Sequence, residues 1–148
     1  MTELLVTGSE LGGTPSQMAT LTFVIVTLRP EKLITGACVG IDAKAFAIAA
    51  RARPPDKLWG ELVAYPANDV AMGKVSNYCI GVADELHEAA RALDRDDTMA
   101  HRCSFAVAVP STDHMATRPG TWATVRRCLK YRKLVLIIQR DGTVRLEK

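Results

Sequence analysis

The most constraining stretch of the chain is Thr14-Pro15-Ser16-Gln17. Threonine, then proline, then glutamine three residues after the threonine is the composition of a capping box, with proline in the first helical turn, where a missing N–H costs nothing. It follows residues 3–7, an apolar run of strand length that ends in Gly8-Ser9. Residues 18–28 are rich in β-branched side chains and by propensity suit a strand as well as a helix. The start signal decides for a helix over 15–29, halted by Pro30. Strand, loop and capped helix in that order are the first half of a βαβ unit.

The same grammar repeats along the chain. Residues 32–35 read as a second strand, and Gly36 to Gly40 open an alanine-dense helix over 41–52, stopped by Pro54 and Pro55. A third strand is expected over 61–65, closed by Pro66, then a loop over 67–75. A helix over 76–92, weakened at Gly81, and a shorter one over 94–102 follow. The nearly continuous apolar run 104–109 reads as a central strand buried on both faces. A loop to Pro119, a helix over 121–131 and a fifth strand over 134–138 complete the alternation, and Asp141-Gly142 signals a turn into a small edge strand over 143–147. Alternating strands and helices imply parallel strands joined by right-handed crossovers. The expected fold is therefore α/β, a Rossmann-like doubly wound, mainly parallel sheet of about five strands with helices on both faces. With 148 residues, 48% of them hydrophobic, one domain over 1–148 has enough apolar material for a core.

Several classes are disfavoured. The longest apolar run, 21–28, is far short of the roughly 20 residues of a membrane span. No basic segment precedes an apolar one at the N-terminus, so we expect no signal peptide and a cytoplasmic protein. Cys38, Cys79, Cys103 and Cys128 lie far apart without a Cys-x-x-Cys and are expected as free thiols. With His87, His101 and His114 they make no zinc pattern, and neither metal nor cofactor is expected. The helix over 15–28 carries apolar side chains around much of its circumference, which predicts a homodimer or tetramer. Charge is uneven: residues 118–148 hold nine Lys/Arg against Asp141 and Glu147, while residues 1–117 hold ten against fourteen. The basic third suits an anionic partner such as nucleic acid, or is simply a solvated face.

In sheets of this type ligands sit beyond the carboxyl ends of the strands. Two of the segments there bear glycine and lead into helices, Gly36 to Gly40 and Arg118-Pro119-Gly120-Thr121. A glycine lets the backbone approach a phosphate, and a helix N-terminus adds unpaired N–H groups; tight turns alone also explain such glycines. Asp42 suits ribose hydroxyls or an N-cap.

Five elements in order, Val6-Thr7-Gly8-Ser9, Thr35-Gly36-Ala37-x-x-Gly40-Ile41-Asp42, Tyr65-Pro66-Ala67, Asp94-Arg95-Asp96 and Pro119-Gly120-Thr121-Trp122-x-Thr124-Val125, resemble the SLOG superfamily. That group spans the "lonely guy" phosphoribohydrolases, lysine-decarboxylase-like proteins, the DNA-processing protein A domain and sensors of bacterial antiviral systems, and the chain looks closest to its small standalone bacterial or phage branch. The resemblance implies a Rossmann-like fold that binds nucleotide-derived ligands, often as a homodimer. It places the ligand at Gly8, Ser9, Glu10, Gly36, Ala37, Gly40, Asp42, Pro66, Arg95, Arg118, Gly120, Thr121, Trp122 and Thr124. Arg95 would pair with a phosphate, or sit exposed at a helix start; Trp122 would stack on a base, or fill the core.

Departures from the pattern narrow the function. Thr124 stands where the phosphoribohydrolases carry the glutamate that works on the N-glycosidic bond, and a hydroxyl is no carboxylate acid or base. Glu10 stands where relatives often have arginine. The expected function is binding of an ADP-ribose-like or cyclic nucleotide signal without turnover, as a sensor or a phage-type sequestering protein. Hydrolysis of nucleoside monophosphates, with Glu10 or Asp42 as the carboxylate, and nucleic-acid binding through the basic third are the alternatives.

Overall fold

The structure, a computed structural model, describes residues 2–114 and 120–148. Arg118 and Pro119, two of the residues in the phosphate-loop expectation, lie outside the described residues. Strands β1 (Glu3–Gly8), β2 (Lys32–Thr35), β3 (Glu61–Ala64), β4 (Glu85–Leu86), β5 (Phe105–Val109), β6 (Val135–Ile138) and β7 (Val144–Glu147) alternate with helices α1 (Pro15–Leu28), α2 (Ile41–Ala52), α3 (Asn77–Val82), α4 (Ala92–Arg102) and α5 (Thr121–Lys130). Among the described residues the strands form one sheet in the order β4-β3-β2-β1-β5-β6-β7. All neighbours are parallel except β6 and β7. The fold is Rossmann-like α/β, as the alternation implies, with the small strands β4 and β7 at the edges.

The capping box at α1 forms as the sequence dictates. The Thr14 hydroxyl accepts from Gln17 N–H at 3.1 Å and the Gln17 amide oxygen accepts from Thr14 N–H at 3.0 Å. The same Gln17 side chain is buried and its Nε2 donates to the carbonyls of Pro110 and Ile138, at 2.9 and 3.0 Å. It thereby ties the start of α1 to the carboxyl ends of β5 and β6. Leu21 and Ile25 are buried against the sheet, while Phe23, Val26 and Leu28 stay exposed, so α1 does carry more apolar surface than one sheet face covers. One core layer lies under α1 and α2 around Leu4, Val6 and Phe46; the other lies under α4 and α5 around Leu5, Ile34 and Val125.

The expected helix over 76–92 is not formed. Ser76 caps a helix of only six residues by accepting from Cys79 N–H. The chain then turns to pair with β3, with Asp84 N–H donating to the Leu62 carbonyl and His87 N–H to the Ala64 carbonyl. Edge pairing overrides the helical propensity of this alanine-containing segment because ion pairs fix it: Asp84 takes Arg53 at 2.6 Å and also Lys57, and Glu85 takes Arg102 and Lys32 and shares a hydrogen bond with the His87 ring. The Arg102 guanidinium holds the Glu85 carboxyl well down, at about 2. Asp84 and Glu85 are thus structural partners.

Candidate functional site

Strand order reverses between β1 and β5: the chain leaves β1 toward β2 on one side, and leaves β5 toward β6 on the other. Loops diverge there and open a crevice at the carboxyl ends of the strands. A cleft of about 610 Å³ occupies this place, lined by Gly8, Ser9 and Glu10 after β1, Gly36, Cys38 and Asp42 after β2, and Asp69 and Lys74 after β3. Arg95 and Asp96 of α4, Ser111 after β5, and Gly120, Thr121 and Thr124 at the start of α5 close it. A second hollow of about 530 Å³ between α1 and α2 is mostly apolar, lined by Met18, Val26, Ala47, Ile48 and Ala52, with Thr22, Lys44 and Arg51 beside them.

The inner wall of the cleft is a packed polar cluster. Arg95 is nearly buried; its Nε donates to Asp96 Oδ1 at 2.7 Å, and its Nη1 donates to the Gly36 and Tyr65 carbonyls at 2.6 and 3.0 Å. Burial opposes the guanidinium charge, but the neighbouring carboxylates, Asp96 first and then Asp42, hold it protonated. A Cβ on Gly36 would stand 2.6 Å from Arg95 Nη1. Gly36 is therefore glycine to admit the guanidinium, and Arg95 is committed to the protein itself.

Asp42 lies in the first turn of α2, 5% exposed, and its carboxylate accepts from Cys38 N–H at 3.0 Å. Burial raises it to about 6, opposed by the Cys38 hydrogen bond and by Arg95. Burial also raises Asp96, against the pull of Arg95 and, more weakly, of the Thr124 hydroxyl. The Cys38 thiol, raised to about 11 by burial and then by Asp42, stays protonated at neutral pH and is no nucleophile.

The two helix entries differ. At α2, the Ser9 carbonyl accepts from Ile41 N–H, and Gly40 has its Cα against the Ser9 and Glu10 backbone, so the chain fills its own helix end. At α5, Gly120 has φ 121°, and among the described residues it receives no side-chain cap and a Cβ there would meet nothing within 4 Å. Ala123 and Thr124 N–H turn back to the Gly120 carbonyl at 3.1 and 3.3 Å, and Gly120, Thr121 and Thr124 line the cleft. The mouth carries Glu10 and Lys74, paired at 3.4 Å, and Asp69, which caps α4 by accepting from Ala92 N–H at 2.7 Å.

Nine of the sequence-derived candidates thus share one cleft: Gly8, Ser9, Glu10, Gly36, Asp42, Arg95, Gly120, Thr121 and Thr124. Four do not line it. Ala37 is core, Gly40 is the crossing just described, and Pro66 is buried with its carbonyl on Ala90 N–H. Trp122 is 4% exposed with its indole N–H on Thr112, which is the core alternative and leaves no face for a base. Cys38, Asp69, Lys74 and Asp96 are lining residues that sequence reasoning missed. Asp96 had a signal, standing beside Arg95 in the same motif. Among the described residues no three His, Cys, Asp or Glu are placed to hold a metal ion, and no helix is long and apolar enough to cross a membrane.

No family model and no curated protein matches the chain in sequence. Solved structures do match in fold. The molybdenum cofactor binding protein from the phototrophic bacterium Rippkaea orientalis aligns with a TM-score of 0.61 at 19% identity, over 93% of this chain and 76% of that one. The X-ray structure of TM1055, a structural genomics target, aligns with a TM-score of 0.66 at 12% identity, over 96% and 76%. At such identities the likeness establishes the Rossmann-like fold.

Proposed function

We propose that the chain binds a nucleotide-derived small molecule in the switch-point cleft and does not turn it over. The observation that carries this is the polarity of the cleft. One wall is the start of α5, where among the described residues Gly120 receives no side-chain cap and has open space beside it, which suits a phosphoryl group. The rest of the cleft offers the carboxylates of Asp42 and Asp96, suited to ribose hydroxyls or a base amine, while Arg95 is already spent on protein acceptors. A ligand with an anionic group at one end and hydrogen-bond donors at the other, such as an ADP-ribose derivative or a cyclic nucleotide, matches both. The Rippkaea protein, of the same fold, binds a small cofactor, which is in keeping with small-molecule binding by this architecture.

Without a carboxylate at 124, the role is that of a sensor or of a protein that sequesters a signal, and the residues we assign to the ligand are Ser9, Glu10, Asp42, Asp96, Gly120, Thr121 and Thr124. The test is mass spectrometry of small molecules released from the purified protein by heat, followed by thermal shift with ADP-ribose, its cyclic isomers, cyclic dinucleotides and adenine nucleotides. A ligand at 100 times its Kd adds about 2.7 kcal/mol of stability, which such a melt detects. No released molecule and no shift with the whole panel would overturn the reading.

One observation favours a second reading. Asp96 and Thr124 line the same cleft and the Thr124 hydroxyl draws the Asp96 carboxyl down, which brings a carboxylate near the place of the relatives' glutamate. Nucleoside monophosphate hydrolysis that Asp96→Asn abolishes would make the protein an N-glycosidase. Its cleft would then be right and its chemistry reassigned.

A further inference from the structure

β7 is an open sheet edge. Gln139 N–H donates to the Thr143 carbonyl at 2.8 Å, so the pairs Ile137/Arg145 and Val135/Glu147 are the mutually hydrogen-bonded ones and the backbone groups of Val144 and Leu146 point outward. The other side of β6 agrees: Ala106 N–H takes the Leu134 carbonyl, which leaves positions 135 and 137 for β7. Among the described residues no strand takes the outward groups of β7, and residues 144–147 contain no proline to guard them.

The side chains of this edge are apolar on one face and charged on the other. Val144 is 45% and Leu146 56% exposed. Directly opposite residues share a face, and their partners Ile138 and Leu136 lie in or against the core layer under α1. The exposed pair therefore stands on the α1 side of the sheet, and α1 itself carries no ionisable side chain over 14 residues. On the opposite face Arg145 and Glu147 pair at 3.0 Å.

We propose that β7 pairs antiparallel with β7 of a second copy, across a two-fold axis at Leu146, so that two sheets join edge to edge. Charge selects this register from those that set outward groups against outward groups. Centred on Leu146, Arg145 faces the partner's Glu147 twice over. Centred on Arg145 or Glu147, each meets its own kind; centred on Val144, Glu147 meets an aspartate, the partner's Asp141. The contact covers Val144 and Leu146, and the uncharged α1 beside them sets no like charges against each other across the axis.

Sedimentation of the full chain at micromolar concentration tests this, with expected dimers that dissociate on dilution. Arg145→Glu and Glu147→Arg alone should each weaken self-association roughly tenfold or more, since each sets like charges face to face. Mixed together, the two variants should form a heterodimer, and the double variant should regain the homodimer. Leu146→Pro removes an outward N–H that β6 does not use, so it should abolish pairing while leaving the melting transition in place. A monomeric wild type overturns the proposal. So does a dimer indifferent to Leu146→Pro and to the charge swaps, which would move the interface to another surface, such as the Phe23 face of α1. Rescue by mixing requires folded chains, so misfolding of a single variant is told apart from lost pairing.

Discussion

The entries to α2 and α5 begin from nearly the same backbone. Gly40 has φ 85° and ψ −126°, Gly120 has φ 121° and ψ −142°, and neither helix receives a side-chain cap. Their surroundings are opposite. A Cβ on Gly40 would stand 2.4 Å from the Ser9 carbonyl oxygen and 2.5 Å from that of Glu10, whereas one on Gly120 would meet nothing within 4 Å among the described residues. The first glycine marks a place where two segments of the chain cross; the second marks a place that no described residue fills. A glycine before a helix is thus evidence for a ligand only where nothing of the protein stands within reach of it.

Four experiments would break or sharpen that contrast. Arg95→Ala should be the most damaging, at about 3–5 kcal/mol in urea denaturation, because it strands the buried Asp96 without its partner. Asp96→Asn in the same chain should recover part of the loss. A small loss from Arg95→Ala alone would mean that the guanidinium is free for a ligand after all. Gly40→Ala should cost about 3 kcal/mol, combining a backbone conformation that side chains rarely adopt with a forced separation of two segments.

Asp42→Asn separates the closed wall from the open one by pH. The carboxyl is raised in the folded chain from 3.8 to about 6, so the folded state holds its proton longer than the unfolded one. Stability contributed by the protonated form is present below the unfolded value and is lost as pH rises through the folded one. Relative to the asparagine variant, wild type should lose on the order of 2–3 kcal/mol between about pH 4 and pH 6 and then run parallel to it. A ligand that donates to Asp42 should bind better above that window, measured by titration calorimetry with whichever compound the melt identifies. The smallest stability effect belongs to Gly120→Ala, about 1–2 kcal/mol from backbone strain alone, together with weaker ligand binding as the new methyl enters the cleft. Equal losses for Gly40→Ala and Gly120→Ala would erase the distinction.

How far the sequence predicted this arrangement depended on the range of the contacts involved. The capping box at Thr14 and the prolines at 30, 54, 55 and 66 are local signals, and they placed α1, β2, α2 and β3 within a residue or two of where they lie. The 76–92 segment failed because its outcome rests on Asp84 meeting Arg53 and on His87 N–H meeting the Ala64 carbonyl, contacts 31 and 23 residues long. Gly36 shows the same limit inside the site. Its loop position was legible, but its purpose lies in a guanidinium 59 residues away. Trp122, adjacent to a glycine at a helix start, reads equally as a stacking platform or as core until its burial is seen.

The buried amide of Gln17 has a consequence for the kinetics of any ligand. By bonding the Pro110 and Ile138 carbonyls together, it fixes the point from which the segment carrying Ser111 departs, directly beside the opening. A glutamate there would turn an acceptor toward carbonyl oxygens that need donors. With Gln17 in place, the strand ends that frame this opening are locked before a ligand arrives. The ordering entropy of that framework is then charged to folding and not to association. Encounter becomes a matter of entering a finished socket, so arrival rates should follow diffusion and electrostatics, while affinity differences between ligands should appear in how slowly they leave.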